Sequence, residues 1–248
     1  MIRPADSRLE VLVASRSALQ AELLANGQPR GLEAGSEWIS HAGRREHWKL
    51  GRYFLISRMQ RLLKEGGNPP KLDEFDVVTR NGLGRGTQPR IYLKGRMLPW
   101  RLSLSHGGEV FALAVSRDNS ARVGIDVVDA SAVTRDSLGF WCTPAERKSL
   151  LSQDEHALVR NWAMKEAVYK AVNHGEAFSP SHFEIFSDGE KHVCHWRGQE
   201  IPLDIASIYP LTNGDYLAAV LIENFRSTRH VETNHRIKNT AACHLISP

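Results

Sequence analysis

Cysteines are scarce in this 248-residue sequence: Cys142, Cys194 and Cys243 are the only three, and they lie far apart. Three scattered thiols exclude a disulfide framework and argue against a zinc site. No apolar run approaches the ~20 residues that a membrane-spanning helix needs. Residues 1–10 lack the apolar core of a secretory signal. We therefore expect a cytoplasmic protein with no membrane partner.

Several catalytic motifs are missing as well. There is no GxSxG element, and no cysteine has an activating context, so covalent catalysis is unsupported. The segment GLGRG at 82–86 is followed by Pro89 and a strand pattern rather than a helix, which excludes a Rossmann turn. In HVCH, His192 and Cys194 share one strand face while His195 lies on the other, which is poor geometry for a metal.

The charge balance is mildly basic. The 32 Lys and Arg residues exceed the 28 Asp and Glu residues by four. This excess favours anionic partners, such as phosphates or an acidic protein, but it is too small to indicate nucleic acid by itself.

Hydrophobic periodicity predicts alternating helices and short strands. Helices are predicted at 17–27, 36–64, 143–151 and 160–174. Strands are predicted at 9–15, 74–79, 90–93, 101–105, 110–116, 121–128, 182–187, 191–196, 204–209 and 215–222. The length suffices for one large domain or two small ones with real cores.

The two halves of the chain resemble each other. GGEVFALAVS at 107–116 and NGDYLAAVLI at 213–222 share a glycine turn, an aromatic residue, an alanine and branched residues. We predict an α+β fold of two similar lobes, each a small antiparallel sheet with packed helices, related by a pseudo-twofold axis. The lobes are predicted at 1–120 and 121–223, with a polar tail at 224–248.

The segment RNWAMKEAVYKAV at 160–172 predicts a helix with two stripes. The first stripe is an ordinary core face, formed by Met164, Ala167, Val168, Ala171 and Val172. The second mixes aromatic and charged side chains, namely Trp162, Lys165, Glu166, Tyr169 and Lys170. A solvated face rarely carries two large aromatics, and a buried face rarely carries three charges. We interpret the second stripe as facing a cleft.

Asp126 lies inside the apolar run VGIDVV, where an unpaired carboxylate would cost several kcal/mol. An aspartate at a strand end that caps a turn is the plainer interpretation. Glu166 and Lys170 can likewise be an exposed helix pair. If the helix turns toward Asp126, however, two carboxylates converge with lysines, which is how magnesium and phosphate are commonly held.

Other polar residues allow two interpretations each. His106 in SLSHGG is either a turn residue or a phosphate contact that the following glycines permit. The cations Arg44, Arg45, Lys49 and Arg52 are either solvated or part of a phosphate site. Thr143, Pro144 and Glu146 form a capping box, and Glu146 could also belong to the site.

Four motifs together resemble one family. SLSH at 103–106, VGIDVV at 123–128, FWCTPAE at 140–146 and WAMKEAVYK at 162–170 are similar in order and spacing to those of 4′-phosphopantetheinyl transferases. The resemblance is to the large two-lobed type that activates carrier proteins of peptide and polyketide synthetases, and it extends over residues 40–222.

The resemblance implies a magnesium-dependent, monomeric enzyme of the holo-[acyl-carrier-protein] synthase type. It would transfer 4′-phosphopantetheine from coenzyme A to a serine of an acyl or peptidyl carrier protein and release adenosine 3′,5′-bisphosphate. Asp126 and Glu166 would bind the metal, and Glu166 and Lys165 would be catalytic. The implied contacts to coenzyme A are His106, Lys165, Lys170, Arg45, Lys49, Arg85 and Arg90. The carrier would dock near the loop and helix after Phe140.

One position departs from the family pattern. Many members carry a third acidic metal ligand two residues after the strand aspartate, where this sequence has Val128. Asp129, one residue further, should face away on the alternation of a strand. We expect a water to complete the coordination of the metal.

Three alternatives stay open. A non-catalytic relative would bind coenzyme A or a carrier without transfer. A nucleic-acid-binding module would use the arginine-rich helix and leave Asp126 and Glu166 without a role. A magnesium-dependent phosphohydrolase would use the carboxylates and need no acceptor.

Overall fold

The computed structural model describes residues 7–29, 31–33, 36–37, 39–64, 68–80, 86–172, 177–188 and 191–223. Arg85, most of the GLGRG segment, the predicted helix end at 174 and the tail at 224–248 lie outside the described residues. The division at 120 and 121 stays a prediction.

The N-terminal repeat comprises the elements from β1 to β6. Its helices are α1 (Arg16–Asn26) and α2 (Ala42–Lys64). Its strands are β1 (Glu10–Ser15), β2 (Phe75–Arg80), β3 (Gly86–Leu93), β4 (Arg96–Met97), β5 (Arg101–Gly107) and β6 (Val110–Ser116). The Ser15 hydroxyl accepts a hydrogen bond from Ala18 N–H at 3.2 Å and so begins α1.

The C-terminal repeat comprises the elements from β7 to β12. Its helices are α3 (Leu138–Trp141), α4 (Pro144–Leu150) and α5 (Glu155–Val172). Its strands are β7 (Arg122–Val128), β8 (Phe183–Asp188), β9 (Lys191–Trp196), β10 (Gln199–Ile201), β11 (Ile205–Pro210) and β12 (Tyr216–Ile222).

Both repeats follow one topology. Each has a first strand, a long helix, a small antiparallel sheet in sequential order, and then a strand pair whose last strand occupies the centre of the main sheet. The main sheets have the orders β1-β6-β5 and β7-β12-β11, and all their pairings are antiparallel. The predicted α+β fold of two similar units is confirmed, and the similar segments 107–116 and 213–222 contain the two central strands, β6 and β12.

The two main sheets meet at β5 and β7 over a shared core. Leu9, Ala112 and Ala114 pack in one cluster with Ile125 and Leu217. At the edge of β7, the hydroxyls of Ser103 and Ser105 in β5 accept the N–H groups of Ile125 and Val127 at 3.1 and 3.2 Å. The two serine hydroxyls thus accept hydrogen bonds from backbone N–H groups at the edge of the sheet, which would otherwise lack a partner.

Helix α5 lies directly against β7 because Gly124 has no side chain. A Cβ at position 124 would stand 1.8 Å from the carbonyl oxygen of Ala167. The predicted core stripe of α5 is buried, as expected. From β3, the Gln88 amide donates to Val123 O at 3.0 Å and to Lys170 O at 2.9 Å, which ties the helix end to the N-terminal repeat.

Three elements begin several residues away from the predicted positions, among them α5, which begins at Glu155 rather than residue 160. Helix α2 begins at Ala42 rather than residue 36, and β3 begins at Gly86 rather than residue 90. The longer β3 arises because Gly86 pairs with Arg80 across an irregularity in β2. Within the described residues, no helix is both long and apolar enough to cross a membrane.

Candidate active site

A cleft of about 340 Å³ opens where α5 crosses the carboxyl end of β7 and the end of β5. Its walls combine three acidic groups, a lysine, a histidine, a serine and apolar side chains. They are Leu104, Ser105, His106, Asp126, Val127, Val128, Asp129, Ala132, Trp162, Glu166 and Lys170. The cleft therefore draws its polar groups from both repeats.

Asp126 is the centre of a hydrogen-bond network at the floor of the cleft. Its Oδ1 accepts from Lys170 Nζ at 2.5 Å and from Ser105 Oγ at 2.8 Å. Lys170 Nζ also donates to Ser105 Oγ at 3.0 Å. The buried carboxylate of Asp126 therefore has the cationic partner that burial requires.

Glu166 adjoins Asp126 across the cleft, and the two carboxyl groups are close enough to share a hydrogen bond. Burial and the neighbouring charge of Asp126 raise the pKa of Glu166 to about 7, although Lys170 opposes the shift. Two carboxyl groups held together in a largely buried site share a proton at neutral pH or attract a cation. The sequence-predicted pair is thus brought together.

His106 lies beside the same network, at the end of β5. Its ring centroid is 5.2 Å from that of His47 in α2 and 5.5 Å from that of Phe111. Burial lowers the pKa of His106, and His47 and Lys170 lower it further, while Asp126 acts in the opposite direction. Sequence reasoning did not identify His47, because one histidine in a cation-rich helix gives no distinguishing signal.

The predicted cleft-facing stripe of α5 divides into two. Trp162, Glu166 and Lys170 line the cleft. Tyr169 instead packs on Phe178, with the two ring centroids 4.6 Å apart, in an aromatic cluster of the C-terminal repeat. The division follows from helix geometry, because residues four apart stay on one side while Lys165 and Lys170 lie about 140° apart around the axis.

The implied role of Lys165 as a phosphate contact and catalytic residue is therefore wrong in this structure. Its side chain is fully buried away from the cleft, and its Nζ donates to Glu146 Oε2 at 2.6 Å. Two backbone carbonyls, those of Trp141 and Pro180, take its other hydrogen bonds at 2.9 and 3.1 Å. A lysine with three internal acceptors has no donor left for a ligand.

Of the two roles predicted for Glu146, a capping box and membership of the site, the structure shows the capping box. Its Oε2 accepts from Thr143 N–H at 2.9 Å, and the Thr143 hydroxyl accepts from Glu146 N–H at 3.3 Å, so the capping box is present. Its other carboxylate oxygen accepts from Ile185 N–H at 2.7 Å. The side chain is buried and does not line the cleft.

Val128 and Asp129, two and three residues after the strand aspartate, both reach the cleft. Val128 lines the cleft with an apolar side chain, at the position where the resemblance implies an acidic one. Asp129 reaches the rim of the cleft because β7 ends at Val128, although strand alternation predicted that it would face away. Its carboxylate caps the following turn, accepting from Ser131 N–H at 2.8 Å, and this lowers the pKa of Asp129.

The other implied phosphate contacts lie outside the lining of this cleft. Arg45 is exposed near the start of α2, and Lys49 forms an ion pair with Glu33. Arg90 is exposed on β3. Arg85 is outside the described residues.

A second basic group lies between α2 and β2. The guanidinium groups of Arg52 and Arg80 lie 5.6 and 5.4 Å from the ring centroid of Trp48. Arg52 is buried, which lowers its pKa, while Asp76 acts in the opposite direction. Among the described residues, the buried atoms Arg52 Nε, Trp48 Nε1 and Thr79 Oγ1 have no hydrogen-bond partner. Periodicity alone does not distinguish this group from a solvated cation run.

The two cysteines of the described residues lie outside the cleft lining. Burial raises the pKa of both Cys142 and Cys194 to about 12, so neither thiol is an activated nucleophile. Within the described part of the chain, no three His, Cys, Asp or Glu side chains group as a metal site. Asp126 and Glu166 are thus a two-carboxylate site supported by Ser105 and Lys170.

The fold and cleft define a two-unit α+β protein with a paired-carboxylate site beside basic side chains, a combination suited to a divalent cation and phosphate. Residues 122–221 match the model of the 4′-phosphopantetheinyl transferase superfamily. The resemblance inferred from the motifs is thereby confirmed over about two fifths of the chain, which includes both Asp126 and Glu166.

Other comparisons are more distant. No curated protein matches the sequence. Among solved structures, the holo-[acyl-carrier-protein] synthase of Thermotoga maritima is similar at 22% identity with a TM-score of 0.35. The similarity covers 41% of this chain and 62% of that protein's length.

Proposed function

We propose that the protein transfers the 4′-phosphopantetheine group of coenzyme A to a serine of an acyl or peptidyl carrier protein. The observation that carries this proposal is the meeting of Asp126 and Glu166 beside Lys170, inside the segment that matches the superfamily model. In the reaction, the serine oxygen bonds to the β-phosphorus of coenzyme A. The pyrophosphate bond breaks, and adenosine 3′,5′-bisphosphate leaves.

The residues present fit a magnesium ion. Asp126 and Glu166 offer carboxylate oxygens, which are the ligands that Mg²⁺ prefers in proteins. The raised pKa of Glu166 reflects burial and then the like charge of Asp126, both of which a cation would offset. When bound, the ion would neutralise charge on the phosphates of the donor. With Val128 at the third position, water would supply the remaining ligands.

Lys170 and His106 are positioned for the pyrophosphate. Lys170 carries a positive charge at the cleft floor, its side chain is 27% exposed, and it can move from Asp126 to a phosphate oxygen without leaving the cleft. His106 lies beside it. Fixed cations that meet charge developing on the leaving group lower the barrier to transfer.

The serine proton requires an acceptor in the cleft. Glu166 is a carboxylate of the cleft that can accept this proton as a general base. We assign this role to Glu166 or to a water beside it. The proton then passes to solvent.

The nucleotide end of coenzyme A would lie toward α2. Lys49 remains a candidate there despite its pairing with Glu33, and Arg45 and Arg90 remain exposed candidates. The buried Arg52 and the neighbouring Trp48 add unpartnered donors that an anionic or aromatic group could satisfy. We propose this region as the outer part of the donor site.

The carrier protein would dock beside Phe140, whose side chain is 87% exposed. Leu151 is also exposed, and the exposed cations Arg147 and Lys148 lie between them in sequence. An apolar anchor within a basic rim complements carrier domains, which are typically acidic. Phe140 precedes Trp141, whose ring lies 5.1 Å from that of Trp162 in the cleft wall.

We propose a magnesium-dependent enzyme of the holo-[acyl-carrier-protein] synthase type that acts as a monomer in the cytoplasm, without nucleic acid. The free thiols of Cys142 and Cys194 agree with a reducing compartment.

Intact-mass spectrometry of carrier proteins tests the function. The protein is incubated with coenzyme A, Mg²⁺ and a panel of apo carrier proteins, and a mass gain of one phosphopantetheine on the acceptor serine is expected. Binding of coenzyme A without that gain would indicate a non-catalytic relative. Release of free phosphopantetheine without an acceptor would indicate a hydrolase.

A further inference from the structure

Lys165 links three segments of the C-terminal repeat through one ammonium group. Its Nζ donates to Trp141 O at 2.9 Å, to Glu146 Oε2 at 2.6 Å and to Pro180 O at 3.1 Å. Lys165 and Glu146 both have no exposed side-chain surface. All three N–H groups of the ammonium are therefore used inside the protein.

Glu146 extends the linkage to two further backbone groups. Its carboxylate accepts from Thr143 N–H at 2.9 Å and from Ile185 N–H at 2.7 Å. The buried pair thus connects α5 to the α3–α4 junction and to β8. A buried pair in which every donor and acceptor is matched fixes the geometry of the segments that it joins.

Trp141 contacts this network through both its carbonyl group and its ring. Lys165 bonds to its carbonyl and lies 5.6 Å from the centroid of its ring. The indole packs edge-to-face with Trp162, which lines the cleft, and donates to Ser137 Oγ at 3.0 Å. Phe140, the next residue toward the N-terminus, projects into solvent with 87% of its side chain exposed.

We propose that Lys165 is a positioning residue for the acceptor: it fixes Trp141, and through it Phe140, relative to the cleft so that the carrier serine reaches Glu166. This inference rests on the proposed function and specifies which substrate Lys165 serves. Lys165 supports binding of the carrier protein through Trp141 and Phe140, and it makes no contact with coenzyme A. Lys170, five residues later on the same helix, acts on coenzyme A.

The test uses two variants of Lys165 in the full chain. Lys165→Met removes the ammonium but leaves the Glu146 charge buried. Lys165→Met with Glu146→Gln removes both charges and avoids the cost of an unpaired buried carboxylate, while its single amide oxygen can accept from Thr143 N–H or Ile185 N–H but not from both. Lys170→Met is the matched control on α5.

Steady-state kinetics give the first readout. We expect the Lys165→Met variant to raise the KM for the apo carrier about tenfold or more, with the KM for coenzyme A and kcat within about twofold of the wild type. The double variant also lacks the ammonium that bonds to Trp141 O, so its KM for the carrier should stay raised. A return to the wild-type KM would overturn the proposal, because it would assign the effect to the unpaired charge of Glu146. Lys170→Met should show the opposite pattern, with a raised KM for coenzyme A.

Hydrogen exchange of residues 138–143 gives a second readout that does not require activity. Exchange there should be faster than in the wild type in both Lys165→Met and the double variant. The proposal is overturned if a folded Lys165 variant loses coenzyme A affinity in calorimetry while residues 138–143 keep wild-type protection. If the wild-type protein modifies no carrier, the proposed function fails, while the exchange data still report whether Lys165 fixes Trp141.

Discussion

Lys170 Nζ lies 2.5 Å from Asp126 Oδ1, so a positive charge of α5 directly faces the strand carboxylate proposed to hold magnesium. Lys170 and a divalent ion cannot both occupy that position. We expect Lys170 to exchange this carboxylate oxygen for a phosphate oxygen when metal and donor bind. The remaining contact of Lys170, to Ser105, keeps it at the cleft while it does so.

Replacing Lys170 with Met should separate its two interactions. Without the ammonium, Asp126 is freer to bind metal, so the affinity for Mg²⁺ alone should not fall, while the KM for coenzyme A should rise about tenfold or more. Calorimetry with Mg²⁺ and kinetics with coenzyme A measure the two effects. Lys94→Met, at an exposed turn outside the cleft, is the control and should change neither the affinity for Mg²⁺ nor the KM for coenzyme A. An unchanged KM for coenzyme A would contradict the assignment.

Loss of either carboxylate should abolish transfer without unfolding the protein. Asp126→Asn and Glu166→Gln each retain the side-chain shape but remove a metal ligand, so kcat/KM should fall by at least ~100-fold. Circular dichroism checks the fold, and Glu155→Gln, in the first turn of the same helix, is the control. Near-normal transfer by either variant at saturating Mg²⁺ would remove the chemical basis of the proposal.

The paired carboxyl groups should make stability depend on pH. Because burial and Asp126 raise the pKa of Glu166 from 4.5 to about 7, the folded protein holds a proton that the unfolded chain has already lost between these values. Stability of the metal-free protein should therefore fall as pH rises from 4.5 to 7, by on the order of 1–3 kcal/mol.

Urea unfolding in the presence of a chelator measures this contribution. The Glu166→Gln variant lacks the titrating group, so its stability relative to the wild type should increase as the pH rises, and the gap should be smallest near pH 4.5. Parallel pH profiles for the two proteins would show that Glu166 is not perturbed in the folded state.

The fold and half of the site could be predicted from sequence because they depend on local patterns. The run around Asp126 and the periodic helix around Glu166 specify a buried strand and a core-packed helix, and the repeat in sequence indicated the repeat in topology. The individual faces of α5 could not be assigned. Lys165 and Lys170 belong to one broad polar stripe, and only the packing of Trp141 and Glu146 decides that one is buried and the other lines the cleft.

Ser105 and His47 were missed for a related reason. A serine in a strand and a histidine in a basic helix acquire their roles only when β5 meets β7 and α2 approaches His106. These contacts join segments that are distant in sequence, so no local pattern reports them.

Gly124 should be essential for bringing the carboxylates together. A Cβ there would stand 1.8 Å from Ala167 O, a backbone atom that cannot move without displacing α5 and its Glu166. We expect Gly124→Ala to destabilise the protein by about 2 kcal/mol or more in urea unfolding. Gly139→Ala is the control, since the nearest atom to a Cβ at that position would be the flexible end of Arg147 at 3.8 Å. Equal stabilities for the two variants would disprove the close packing.

Val128→Glu should restore a third acidic ligand. Val128 lines the cleft two residues after Asp126, so a glutamate there should tighten Mg²⁺ binding by about tenfold and lower the stability of the metal-free protein through added repulsion. Calorimetric titration and urea unfolding measure both changes. Val127→Glu is unsuitable as a control because Val127 also lines the cleft, whereas Val193→Glu alters an exposed position on β9. Weaker or unchanged metal affinity would show that position 128 cannot reach the ion.

The central claim is that Asp126 and Glu166 hold one divalent ion between them. The most direct measurement is anomalous diffraction from crystals of the protein grown with Mn²⁺ and coenzyme A. We predict a single strong peak within coordination distance of carboxylate oxygens from both residues, with the pyrophosphate and Lys170 beside it. A peak that contacts neither carboxylate, or a cleft in which coenzyme A binds with Lys170 still paired to Asp126, would contradict the account.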